Sequence, residues 1–177
     1  MTTDATRRII VVRHARAERE TQVDHERHLD DQGRTDAPLA GRWLAGSGLT
    51  PGLARVSDAV RTRETWELMA QEFPEKPAAG YEEALYTPGH DEGGLGGLIA
   101  LVNGTSDEVN DLLVVGHNPE MHALADTLAG EAEGDLRARM ERSEFPTAAV
   151  AVLAFSGSWK SLGPGSARLV GYWTPQG

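Results

Sequence analysis

Two histidines and two arginines in this chain are of the right types to act together on one anion: Arg13, His14, Arg61 and His117. A guanidinium is planar, always charged, and makes paired hydrogen bonds to phosphate oxygens. A neutral imidazole attacks phosphorus and forms a covalent phosphohistidine. Nearby cations disfavour the imidazolium, so Arg13 and Arg61 would also help keep His14 neutral. The chemistry such a set can perform is phosphoryl transfer, which is mainly a problem of positioning and charge stabilisation. In that scheme His14 is the nucleophile, Arg13 and Arg61 clamp the phosphoryl oxygens, and His117 hydrogen-bonds them as they move. A leaving group needs a proton, which calls for an acid tuned by its surroundings. Glu83, in Glu82-Glu83-Ala84-Leu85-Tyr86, is the candidate, with Glu82 as the alternative.

No metal or other cofactor is expected. The chain has no P-loop and no acidic cluster beside these residues, and His25, His28, His90 and His122 lack metal-ligand spacing. The run Gly93-Gly94-Leu95-Gly96-Gly97 has neither a preceding strand nor a Gly-Lys-Ser/Thr, so it is predicted as a flexible loop feeding a helix around 98–102. Each assignment has a plainer rival: Arg61 could pair with Glu64 or Glu67 on its own helix, Arg16 with Glu20, and Glu83 could be a solvated surface acid.

The elements that must position these residues are legible as apolar runs. Ile9 to Val12 runs into Arg13-His14, Leu112 to Val115 into Gly116-His117-Asn118-Pro119, and the weaker Leu53 to Val56 into Ser57 and then Arg61. Short Val/Ile/Leu runs bounded by polar residues read as buried parallel strands, and an open α/β sheet binds ligands beyond the carboxyl ends of such strands. The expected fold is therefore α/β, a mostly parallel central sheet flanked by helices. Helices are predicted over about 35–44, 62–73 and 120–128, the last capped by Gly130. Segment 77–80 reads as a linker and 131–144 as a solvated, charged excursion. Closing strands are expected at 148–155 and 167–173, joined by a turn-rich stretch in which Trp159 is partly exposed; Trp43 and Trp66 read as core.

Composition bounds the rest. A length of 177 residues suits a single domain, with residues 1–7 as a flexible N-terminus. The net charge of −10 argues against binding nucleic acid or an anionic membrane surface. The absence of cysteine excludes disulfides and thiol nucleophiles. No signal-like or membrane-spanning run is present, so a cytoplasmic location is expected. Nothing marks an oligomer interface.

These residues resemble a known family. Arg13-His14-Ala15 is similar to the Arg-His-Gly signature of the histidine phosphatase superfamily, whose fold is that of phosphoglycerate mutase. Ser57-Asp58-Ala59-Val60-Arg61-Thr62-Arg63-Glu64-Thr65 resembles its Ser-x-x-x-Arg-Thr-x-x-Thr segment, and Gly116-His117-Asn118-Pro119 its second histidine motif. Glu83-Ala84-Leu85-Tyr86 is similar to the Glu-x-x-Tyr element that carries the proton donor. More narrowly, the short length, Asp24-His25-Glu26-Arg27-His28-Leu29 with Gly33-Arg34, Phe145-Pro146-Thr147 and the ending Ala167 to Pro175 resemble the SixA branch, the phosphohistidine phosphatases. The resemblance implies His14 as the phosphorylated nucleophile, Arg13, Arg61 and His117 as the rest of the phosphate pocket, and Glu83 as donor. Ala15 departs from the usual glycine; a Cβ there would narrow the pocket if the position needs a positive φ.

The expected activity is a metal-independent phosphatase with a phosphohistidine intermediate, acting on a phosphohistidine-bearing protein. Its alternatives are a small-molecule phosphomonoesterase acting on a phosphorylated metabolite, and a non-catalytic phosphate-binding module.

Overall fold

Alternate residues of the central strands face opposite sides of one sheet, and each side is covered by its own helices. The computed structural model describes residues 6–19, 23–86 and 94–177. Its elements are β1 (Thr6–Arg13), α1 (Asp31–Gly46), β2 (Leu53–Ser57), α2 (Val60–Ala70), β3 (Ala78–Glu82), α3 (Gly94–Asn103), β4 (Asp111–Gly116), α4 (Glu120–Leu128), β5 (Ala129–Ala132), α5 (Leu136–Ser143), β6 (Val150–Ser156) and β7 (Ala167–Trp173). The strands form one sheet in the order β3-β2-β4-β1-β6-β7-β5. Only β6 runs against the others, pairing antiparallel with both β1 and β7. The α/β architecture with a mostly parallel sheet is thus as the sequence indicates.

The period of two along a strand sorts the core. Ile9 and Val11 of β1 with Leu112 and Val114 of β4 pack under α3 and α4, together with Met140 of α5. Ile10 and Val12 with Leu113 and Val115 pack against Leu44 of α1 and Trp66 and Met69 of α2. Because both faces are covered, these strands read as continuous apolar runs rather than alternating ones.

Several local expectations are corrected. Helix α1 begins at Asp31, four residues before the predicted start, because the Asp30 side chain caps it by accepting from Gly33 N at 2.8 Å. The presumed linker 77–80 contributes to edge strand β3, whose mostly exposed residues lack an apolar pattern. Gly94, Gly96 and Gly97 lie inside α3, held by buried Leu98 and Val102 against the helix cost of glycine. Gly130 is not a cap: it lies in β5, where a Cβ would come within 2.1 Å of the Gly165 carbonyl oxygen. The charged stretch after it holds α5, which buries Met140 and leaves its charges outward. Trp159 is fully buried, and its indole N–H donates to Val109 O at 2.7 Å. Of the expected flexible N-terminus over 1–7, residues 1–5 lie outside the described residues, and Thr6 and Arg7 belong to β1. His90 and Glu20 also lie outside the described residues.

Candidate active site

The carboxyl ends of β1, β4 and β2 lie side by side, with Arg13 in register with Gly116 and Val56 with Val115. His14, His117 and Ser57 therefore arrive at one rim. His14 and His117 have ring centroids 5.2 Å apart, and both are buried.

His14 is fixed from four directions. Its N–H donates to Gly116 O at 3.0 Å, and its carbonyl accepts from Ala148 N at 3.0 Å. The next amide, Ala15 N, donates to Thr65 Oγ1 at 3.0 Å, and that hydroxyl donates to Arg61 O at 2.7 Å. In the ring, Nδ1 lies 2.7 Å from Ala15 O. A carbonyl only accepts, so Nδ1 carries the hydrogen and Nε2 of the neutral ring holds the lone pair. Burial pushes His14 well below the usual imidazole range, reinforced by His117, Arg61 and Arg13 and opposed by the Ala15 carbonyl. The ring is therefore neutral near neutral pH, with an unprotonated Nε2. Ala15 meets no backbone penalty, since it is not among the left-handed residues of the described chain.

His117 carries the opposite tautomer. Arg61 Nη2 donates to its Nδ1 at 3.3 Å, which leaves Nε2–H to donate to Ser57 Oγ at 2.8 Å. Burial, then the Arg61 charge, lowers its pKa to about 3, with Asp24 opposing. The Tyr86 ring meets it edge-on at 5.6 Å.

Arg61, 5 % exposed, lies in the first turn of α2. It does not pair with Glu64 or Glu67. Its Nη1 donates to Asp24 O at 2.8 Å and its Nη2 to Asp24 Oδ2 at 3.1 Å. Glu64 instead accepts from His28 Nδ1 (3.0 Å) and Leu29 N (2.8 Å), and His25 Nε2 lies 2.9 Å from Asp58 Oδ1. His25 and His28 thus tie the 23–29 loop to the start of α2. Arg16 pairs with Asp30 at 3.0 Å.

Arg13 Nη1 donates to Phe145 O at 3.2 Å, and Asn118 Nδ2 donates to the same oxygen at 2.9 Å. The segment they hold turns through left-handed backbone at Glu144, Phe145 and Ala148 (φ 56°, 53° and 65°). Three such non-glycine residues beside His14 mark a loop whose shape is imposed by its contacts. Arg13 Nε and Arg61 Nε are buried without a hydrogen-bond partner, so donor capacity remains on both guanidinium groups.

Glu83 follows β3, whose last residue, Glu82, is in register with Ser57. It is exposed and opens a 3-10 turn that buries Leu85 and brings Tyr86 to His117. Glu82 is engaged with Arg55 at 3.4 Å. Among the described residues no group of three or more histidine or carboxylate side chains converges as a metal cage.

Ser57, Thr65, Asp24, Arg27 and Tyr86 complete the site, and sequence reasoning gave none of them a role. Each sits inside a motif already quoted, but only the packing shows that Ser57 and Thr65 serve the two histidines and that Asp24 reaches Arg61.

Residues 9–85 match the model of the histidine phosphatase superfamily, branch 1. An uncharacterized protein of Mycobacterium tuberculosis is 37% identical over 155 residues, covering 87% of this chain and 92% of that one. The structure of a candidate phosphohistidine phosphatase SixA from Nakamurella multipartitia superposes with a TM-score of 0.80 at 26% identity, covering 99% of this chain and all of that one (100%). A second candidate of the same name, from Agrobacterium tumefaciens, gives 0.77 at 25% identity with 99% and 100% coverage. With its two histidines at the ends of β1 and β4 and Arg61 bonded to the second of them, the chain belongs to the histidine phosphatase superfamily, branch 1, on the SixA-type side of that family, and is a phosphatase.

Proposed function

We propose that this phosphatase hydrolyses phosphohistidine on a protein, through a phosphohistidine of its own at His14. The observation that carries the reading is the Nδ1 contact to the Ala15 carbonyl, which leaves His14 Nε2 unprotonated beside Arg61 and His117. The Nε2 lone pair attacks phosphorus, and the bond from phosphorus to the leaving nitrogen or oxygen breaks with its electron pair on the leaving group. Glu83 supplies a proton to that group. Arg13 and Arg61 hold the equatorial oxygens, and His117 exchanges its Ser57 partner for one of them. The Nδ1–H bond to Ala15 stabilises the positive ring of the phosphorylated intermediate. Water then attacks phosphorus, its proton passes to Glu83, and the P–N bond breaks to return the lone pair to Nε2.

A phosphohistidine substrate is favoured because Glu83, the candidate donor, is exposed while His14 and His117 are buried. A nitrogen leaving group departs with less acid assistance than an alkoxide. The matching structures named as phosphohistidine phosphatases support the same substrate class. The test compares turnover of a phosphohistidine protein with that of a panel of small phosphate esters, with His14→Ala as control. Preference for the protein with loss of more than about 10³-fold in the control is expected; full activity of His14→Ala overturns the mechanism, and preference for a small ester moves the substrate to the phosphomonoesterase reading.

A further inference from the structure

The Asp24 carboxylate lies among Arg61, Arg27 and Tyr86, against the arginine read as a phosphate clamp. Its Oδ2 accepts from Arg61 Nη2 at 3.1 Å and from the Tyr86 hydroxyl at 2.7 Å. Its Oδ1 accepts from Arg27 Nε and Nη2 at 3.1 and 2.9 Å, and its carbonyl takes Arg61 Nη1 at 2.8 Å. Asp24 therefore takes one N–H from each terminal nitrogen of the arginine read as a phosphate clamp, His117 takes the second Nη2 hydrogen, and the Nε/Nη2 edge of Arg27 also goes to Asp24. A phosphoryl group cannot use the same donors while the carboxylate holds them, and two anions side by side repel. Resting on the reading of Arg61 as a phosphate clamp, we infer that Asp24 is a built-in competitor for the phosphate pocket, displaced by substrate and returning to Arg61 to expel inorganic phosphate.

The surroundings suit an exchange of this kind. The loop that carries Asp24 is tied to α2 through His25–Asp58, His28–Glu64 and Leu29 N–Glu64, so the carboxylate stays next to Arg61 even when its side chain swings out. A tethered group competes at a high effective concentration. The Asp24 side chain is about one-third exposed (35%), which gives it a solvated position to move into. Bonds from Tyr86, Arg27 and Arg61 outweigh burial and hold its pKa below the usual carboxylate range, so it stays an anion across the working pH range. A ligand's observed affinity is its intrinsic affinity scaled down by the fraction of open pocket, and the product phosphate is weakened along with the substrate.

The experiment titrates inorganic phosphate into the full chain by calorimetry and measures product inhibition for wild type, Asp24→Asn and Asp24→Ala. Asparagine keeps the shape and removes the charge, while alanine removes any bond an amide could re-form with Arg61. Both variants are expected to bind phosphate about tenfold tighter, with a matching fall in the inhibition constant and a lower kcat where release limits turnover. Unchanged or weaker phosphate binding in both folded variants, with wild type still active, makes Asp24 a mere brace for Arg61 and overturns the inference while leaving the proposed function standing. Absence of phosphate binding and of turnover in all three chains overturns the phosphate reading and this inference with it.

Discussion

Arg61 Nη2 lies 3.3 Å from His117 Nδ1, and that contact decides which nitrogen of His117 bears its proton. Because the guanidinium only donates, the imidazole must accept there and present Nε2–H to Ser57. One arginine thus supplies charge to the pocket and sets the tautomer of its partner histidine.

Replacing Arg61 should disturb both at once. Arg61→Ala is expected to lower kcat/KM by about 10²- to 10³-fold, the loss typical of a removed transition-state donor. It should also raise the His117 pKa from about 3 towards the ordinary imidazole value, because the cation that opposed protonation is gone while burial remains. An NMR titration of the ring protons reads this directly, and an unmoved His117 would refute the coupling.

Stability should fall with acid through the histidine window. His117 has a folded pKa of about 3 against 6.5 unfolded, and His14 is lowered in the same direction. Below 6.5 the unfolded chain binds protons that the native chain does not, so unfolding becomes easier as pH falls, down to the folded value. The slope is about 1.4 kcal/mol per pH unit for each buried neutral histidine. Urea unfolding between pH 7 and 5 measures it, and His117→Asn should remove about half. A slope that His117→Asn leaves intact would contradict the buried neutral state.

The activity profile carries the complementary signature. Protonation of His14 removes the attacking lone pair, and its pKa is lowered, so the acid limb of kcat/KM should lie below pH 6.5. An acid limb above 6.5 that His14 titration tracks would show a solvated ring instead.

Glu83→Gln should separate leaving groups. Hydrolysis of an alkyl phosphate is expected to drop by about 10²-fold, the usual scale of general acid catalysis, with phosphohistidine hydrolysis changed far less. Equal losses on both substrates would tie Glu83 to a step they share.

Gly33 should be intolerant of any side chain. A Cβ there would sit 2.1 Å from Arg16 O, the carbonyl that also accepts from Asp30 N at 3.0 Å just before α1. Gly33→Ala must push apart the strand-end loop and the helix start, at a cost of about 1–3 kcal/mol. Thermal unfolding reads the loss, and a native midpoint would show that the contact yields freely.

The strands that carry the chemistry were legible because both of their faces are buried: Ile9 to Val12 and Leu112 to Val115 have no polar alternation to confuse the reading. The residues that follow them were legible for the same reason, since a strand end in a parallel sheet is where a ligand sits. Edge elements were not. β3 and β5 are short and largely exposed, α3 begins on glycines, and α5 shows mostly charge, so their sequences lack the periodicity that burial imposes.

The sequence by itself determined which residues could perform phosphoryl transfer and that an α/β sheet would bring His14, Arg61 and His117 to one rim. Only the tertiary structure decided their states. The Ala15 carbonyl and Arg61 select opposite tautomers for the two histidines, and Asp24 reaches across 37 positions of chain to sit on Arg61. Hydrogen bonds of that kind depend on where loops come to rest against one another, and no local pattern of residues encodes it.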